Sequence, residues 1–191
     1  MRPLRVFTAI DISSEVRAAA LRLIERLRGA PVKVTWTKAA NLHYTLKFLG
    51  DVQAEKTVDI CRAVKEAVNP FSPFEIVAAG AGAFPSLSHL QTLWLGVGDG
   101  AEQMELLFQA VERLLEPLGF AREHRRFAPH LTLGRVRGGS PAGFKELGDL
   151  IRKQADFDAG AMNVSSVTVF SSVLRADGPT YNVLSRVEFS G

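Results

Sequence analysis

Apolar positions recur along this chain with two periods, and the alternation between them outlines the elements. Leu4 to Ile10 predicts a strand. Asp11 to Ser14 offers cap oxygens, and Val16, Ala20, Leu23 and Leu27 then share one face of a helix that stops at Gly29. Lys33 to Trp36 predicts a short strand, Lys38 to Asn41 a turn, and Leu42 to Leu49 a further strand. A second helix opens at Asp51 to Gln53, carries Val58, Cys61, Val64 and Val68 on one stripe, and ends at Asn69-Pro70. Phe74 to Ala79 predicts a strand, Gly80 to Gln91 a surface loop rich in Gly, Pro and Ser, and Leu93 to Val97 a short strand with Trp94 in the core.

The clearest helical period runs from Met104 through Leu107, Phe108, Val111, Leu114 and Leu115 to Leu118, closed by Pro117 and Gly119. Phe120 to Pro129 is a basic loop leading into a strand from His130 to Val136. Pro141 to Gln154 predicts a fourth helix, Met162 to Leu174 a long strand, Ala176-Asp177-Gly178-Pro179 a turn and Tyr181 to Phe189 a final strand. The order β-α-β-β-α-β followed by β-α-β-α-β-β, with no linker, predicts an α+β fold of two pseudo-symmetric, intertwined lobes. Short connections favour mainly antiparallel sheets with helices on the outer faces and a cleft between the lobes. Residues 1–191 are expected to form one domain.

Composition narrows the classes. With 47% apolar and 23% charged residues, the chain is an ordinary globular protein. The single cysteine, Cys61, excludes a disulfide framework and a cysteine-rich zinc site, and reads as a small buried hydrophobe. No run approaches the roughly 18 apolar residues of a membrane span. The first residues carry Arg2 and Arg5 within a strand-like run and lack the apolar block of a signal peptide, so a cytoplasmic protein is expected. The net charge of +3 is too small for a protein that coats long nucleic acid. Arg122, Arg125, Arg126, Arg135 and Arg137 nevertheless bracket one stretch, where a positive field would favour an anionic substrate.

That stretch is half of a repetition. His43-Tyr44-Thr45-Leu46 is echoed by His130-Leu131-Thr132-Leu133, and both lie in predicted strands. Side chains at i and i+2 of a strand project to one side, so each copy presents an imidazole beside a hydroxyl. Two facing copies would surround a cleft with two imidazoles and two hydroxyls. A neutral imidazole can take a proton from water while an imidazolium gives one to a departing oxygen. Threonine hydroxyls can bond the non-bridging oxygens of a phosphate as negative charge builds there. This chemistry needs no metal. A metal reading is the rival, but the histidines have no Cys, Asp or Glu at ligand spacing. His89 and His124 fall in loops and are expected at the surface. No Gly-x-Ser-x-Gly elbow occurs, which disfavours a serine hydrolase.

At these motifs the chain resembles the 2H phosphoesterases, and within them the bacterial and archaeal RNA 2′,3′-cyclic phosphodiesterases, once called 2′-5′ RNA ligases. The likeness extends over Arg5 to Ile10, Asn41 to Gly50, Gly82 to Pro85, Leu93 to Gly96, Phe127 to Arg135 and Gly178 to Tyr181. The resemblance implies His43 as the general acid on the leaving 3′-oxygen and His130 as the general base on water. It implies Thr45 and Thr132 as phosphate ligands, a 2′-phosphate product, and no cofactor. Phe48 and Arg135, each five residues after its histidine, are implied to sandwich the terminal base. Strict alternation would send both to the wrong face, so a bulge, a strand end or strong twist is required. Relatives often carry an arginine before the Trp94 strand, where this chain has Ser88-His89-Leu90-Gln91-Thr92. His89 or the Arg122 to Arg126 cluster is the candidate replacement.

The expected substrate is an RNA end bearing a 2′,3′-cyclic phosphate, tRNA fragments included, acted on by a monomer with no membrane partner. ATP-independent 2′-5′ ligation of tRNA-half-like ends, the chemical reverse, is one alternative. A non-catalytic RNA-end or nucleotide-binding module is the other, although binding alone would tolerate Asn or Gln in place of either histidine.

Overall fold

The computed structural model describes residues 3–176 and 178–191, so Arg2 and the Asp177 of the expected turn lie outside the described residues. In chain order the elements are β1 (Leu4–Asp11), α1 (Ser14–Leu27), β2 (Val32–Trp36), β3 (His43–Val52), α2 (Thr57–Val68), β4 (Phe74–Ser86), β5 (His89–Val97), α3 (Ala101–Leu115), β6 (Leu131–Gly139), α4 (Pro141–Arg152), β7 (Asp158–Val164), β8 (Ser166–Arg175) and β9 (Gly178–Glu188). Ser13 starts α1 by accepting from the Val16 N–H at 3.1 Å, as the expected cap chemistry requires.

Every strand pairing among the described residues is antiparallel. The strands join in the order β7-β4-β5-β6-β3-β1-β8-β9, with β2 also on β6. The order divides into four strands on each side of the β6–β3 junction, where Tyr44 pairs with Leu131. One lobe is β3-β1-β8-β9 and the other is β6-β5-β4-β7, so the two motif strands are the inner strands of their lobes. The expected α+β architecture with two pseudo-symmetric lobes is what the chain adopts.

The helices cover the outer faces, and two of them change sides. α2 packs on β8 and β9, and α3 on α2 and β3, beneath the first lobe. α1 packs on β7 and α4, and α4 on β4 and β2, beneath the second. Thus α1 leaves a strand of the first lobe to cover the second, and α3 does the converse. The apolar stripes read from the sequence face this core, with Leu23, Leu27, Val64, Leu107, Val111, Leu115, Leu147 and Ile151 buried; Val58 of the expected α2 stripe is instead 63% exposed. Cys61 is half-buried on the α2 stripe, and burial pushes its thiol upward in pKa.

The structure corrects three boundaries. The expected loop from Gly80 to Gln91 is instead a long hairpin of β4 and β5. Its glycines belong to the strand: Gly80 takes φ +78° beside a register shift, and a Cβ on Gly82 would lie 2.2 Å from the Trp94 ring. Glycine there admits an indole lying flat on the strand. The expected strand Met162 to Leu174 divides at Ser165, where the chain passes from β7 against β4 to β8 against β1. The expected start of the second helix at Asp51 gives way because β3 continues to Val52, and α2 begins at Thr57.

Candidate active site

β3 and β6 position the two motifs identically. In β3 the pairing with β1 jumps from Thr45↔Ala9 to Lys47↔Thr8, leaving Leu46 as the extra residue. In β6 the pairing with β5 jumps from Thr132↔Trp94 to Gly134↔Leu93, leaving Leu133 extra. Each motif leucine is therefore a bulge, and both are buried. A bulge places two successive residues on one face and shifts the phase of alternation beyond it. Phe48 and Arg135 consequently return to the face of the histidines. Phe48 is paired with Phe7 and lies 5.7 Å from its ring, and Phe7 in turn stacks on His43 at 5.0 Å.

The antiparallel Tyr44↔Leu131 pair sets His43 toward Thr132 and Thr45 toward His130 across the junction. His43 Nε2 lies 3.0 Å from Thr45 Oγ1. The imidazole sits among Phe7, Phe170 at 6.3 Å and Tyr181, which meets it edge-on at 5.4 Å. This burial depresses its pKa to about 4, against a backbone hydrogen bond to Asn41 and the Asp11 carboxylate, which both favour the charged form.

His130 donates from Nδ1 to the Ala128 carbonyl at 2.7 Å, which leaves Nε2 as the acceptor of the neutral ring. Phe84 meets it edge-on at 4.9 Å. Burial again lowers the pKa, the Ala128 bond opposes this, and the Arg135 charge lowers it further. The two imidazoles are thus each bonded to the backbone two residues upstream, and differ in the charge beside them.

The lobes differ where their symmetry would match them. Thr45 is paired with Ala9, but Thr132 with Trp94; Phe48 with Phe7, but Arg135 with Thr92. The first lobe is consequently aromatic around its histidine. The second is more polar, with Arg135 donating to Thr92 Oγ1 at 3.2 Å.

His43, Thr45, Phe48, His130, Thr132 and Arg135 are brought onto one concave face. Arg122, Arg125 and Arg126 are not, whereas Arg137 shares the β6 face of Arg135. Arg122 pairs with Glu116 at 2.8 Å and, with Arg125, Arg126 and His124, lines a groove of about 700 Å³ against α2 and α3. Arg137 donates to Thr35 at 3.1 Å. Only Arg135 shifts a motif histidine, and the expected field beside the cleft is corrected from five arginines to Arg135 and Arg137, the loop arginines being turned away. The loop is folded back because Glu112, ion-paired with Lys47 in the core, accepts from the Glu123 N–H at 2.7 Å, and Lys47 donates to the Ala121 carbonyl at 2.8 Å. His89 is exposed and bonded to Gln91 at 3.0 Å. Sequence reasoning missed Phe7, Phe84, Phe170 and Tyr181 as neighbours of the histidines. Phe7, Phe84 and Tyr181 could have been found, since each lies in one of the segments of resemblance; Phe170 lies in none.

Among the described residues no three His, Cys, Asp or Glu side chains gather as a metal site requires. No described helix is long and apolar enough to cross a membrane.

Relatives of similar sequence include the RNA 2′,3′-cyclic phosphodiesterase of Methanothermobacter thermautotrophicus, 36% identical over 93% of this chain and 94% of that protein. The enzyme of the same name from Thermotoga maritima is 32% identical over 98% and 97%. Among solved structures, a protein of Thermus thermophilus superposes with a TM-score of 0.78 at 25% identity over 98% of both chains. Escherichia coli LigT complexed with 3′-AMP gives 0.77 at 24% identity over 99% of both, which speaks to the fold. The LigT like Phosphoesterase model matches twice, over residues 10–94 and 95–181, one motif in each match. The chain belongs to the LigT-like family of 2H phosphoesterases.

Proposed function

We propose that this protein hydrolyses RNA ends bearing a 2′,3′-cyclic phosphate, leaving a 2′-phosphate and a free 3′-hydroxyl. The observation that carries the assignment of roles is the charge beside each histidine. Burial lowers the pKa of both imidazoles, but Asp11 opposes it at His43 whereas Arg135 adds to it at His130, a difference that suits an acid and a base respectively. The names of the full-length relatives support the reaction.

In this reading His130 Nε2 takes a proton from water as its oxygen attacks phosphorus, and His43 Nε2 delivers a proton to O3′ as the P–O3′ bond breaks. Neutral His43 accepts from the Thr45 hydroxyl. Once protonated beside a bound anionic phosphate, its Nε2–H turns from Thr45 to O3′, and the Thr45 hydroxyl, released as a donor to the ring, donates to a phosphate oxygen. Thr132 serves the other non-bridging oxygen, and Phe48 and Arg135 hold the terminal base. The whole of residues 1–191 acts as one domain with one motif per lobe. Monomeric action in the cytoplasm on RNA fragments, tRNA pieces among them, completes the proposal.

The test is hydrolysis of a short RNA with a 2′,3′-cyclic phosphate end in EDTA, with the phosphate position read in the product. His43→Ala and His130→Ala are each expected to lower kcat by roughly 10²–10⁴-fold. A 3′-phosphate product, turnover abolished by EDTA, or full activity in either variant would overturn the reading.

A further inference from the structure

The concave face of the first lobe carries more surface than one nucleotide needs. Cross-strand registers align Phe48 on β3, Phe7 on β1, Phe170 on β8 and Val183 on β9 as one row. The middle of that row is buried, whereas its ends are open: Phe48 is 64% exposed and Val183 61%. The next row on this face aligns Arg5, Ser172 and Tyr181, and the one beyond it pairs Leu174, 70% exposed, with Pro179. From β3 to β9 is three strand spacings, about 14 Å. The face therefore continues from the histidine cluster to the sheet edge as an apolar strip.

One cation accompanies it. Arg5 is exposed on this face, and among the described residues its guanidinium makes no hydrogen bond or ion pair. Asp51, its register neighbour on β3, lies outside ion-pair distance. Single-stranded nucleic acid uses aromatic platforms beside cations, the bases on the rings and the phosphate on the charge; here Tyr181 lies in the row of Arg5, between Val183 and Leu174, which extend its apolar surface. A peptide added to the free β9 edge would use backbone groups instead, and would have no need of Arg5.

We propose that the strip running from Val183 to Leu174, with Arg5, is a subsite for the two nucleotides on the 5′ side of the cyclic-phosphate terminus. It rests on the function proposed above and adds a length preference. The terminal base engages Phe48. The chain then crosses the first lobe outward, with the preceding base on Val183, an internucleotide phosphate at Arg5, and the base before that on Leu174, two rows further along the sheet.

The experiment compares a nucleoside 2′,3′-cyclic phosphate with a trinucleotide ending in the same group, using wild type, Arg5→Gln and Val183→Glu. The wild type is expected to show a lower KM for the trinucleotide. Val183→Glu is expected to raise only the trinucleotide KM, by about tenfold. Arg5→Gln is expected to flatten the salt dependence of trinucleotide binding by about 0.7 in the log–log slope, the share of one single-strand phosphate contact. Equal KM for the two substrates in wild type, or variants that change both substrates alike, would overturn the subsite. Failure of the wild type on the cyclic mononucleotide would overturn the function itself, so the two failures are distinct. Variants that leave both substrates untouched but alter self-association would assign the strip to a second copy and overturn the proposal.

Discussion

Leu46 and Leu133 are both the unpaired residue of a β-bulge, one in each histidine strand. The repeated leucine therefore does more than fill the core. It shifts the phase of its strand so that a position five residues after the histidine faces the same cleft. Phe48 and Arg135 share the face of the histidines by this device alone.

Phe48→Ala should raise KM for a cyclic-phosphate RNA by about ten- to a hundredfold, the scale of one lost base stack, and leave kcat nearly unchanged. Steady-state kinetics at saturating substrate separate the two terms. A fall in kcat with constant KM would mean that the ring instead supports His43 through Phe7.

The charges beside the histidines set opposite limbs of the pH–rate profile. Asp11 favours protonated His43, so Asp11→Asn should move the alkaline limb, where the acid is lost, to lower pH. Arg135 holds His130 down, so Arg135→Gln should move the acid limb, where the base is protonated, to higher pH. Profiles of kcat/KM for the two variants check this. Movement of the acid limb in Asp11→Asn and of the alkaline limb in Arg135→Gln would reverse the assignment of acid and base.

Burial of His43 also ties stability to pH. Its folded pKa of about 4 lies below the ordinary value of 6.5, so between these values the unfolded chain binds the proton that the folded chain refuses. This contribution to stability is present above 6.5 and is lost as pH falls toward 4. Urea denaturation across that window should show wild type losing more stability than His43→Gln. Equal losses would mean that the imidazole is not desolvated.

Lys47 and Glu112 form an ion pair in the core, and both also hold the loop that leads to His130. Lys47→Met leaves a buried carboxylate unpaired and should cost about 3–5 kcal/mol. Lys47→Met with Glu112→Leu should regain most of that stability, since an apolar pair of similar volume is often tolerated. The double variant should still turn over more slowly, because Ala121 and Glu123 have lost their anchors. Denaturant midpoints and kcat measured side by side test both halves.

Much of this was legible in the sequence because it is local. His43 with Thr45, and His130 with Thr132, share a face by the period of a strand, and the stripes of α1 to α4 follow from helical spacing. The phase shift at Leu46 and Leu133 was illegible because nothing in Leu-Lys or Leu-Gly marks a bulge; only the positions of Phe48 and Arg135 demanded one. Gly80 and Gly82 misled because the strand they belong to is shaped by distant residues, and the space that Gly82 leaves is occupied by Trp94. Arg122, Arg125 and Arg126 misled because proximity in sequence to His130 was taken for proximity in space, whereas Glu112 turns their loop toward α3.

Because α1 and α3 cross between the lobes, neither half of the chain is self-sufficient. A fragment ending after β5 would hold β1 and β3 without the α3 that packs on β3, and an α1 without the β7 that it covers. Its complement would have the reciprocal vacancies. Neither motif could then evolve or be transplanted with its own half of the chain. Two such fragments mixed together should dock and restore one another, as the halves of a split reporter do.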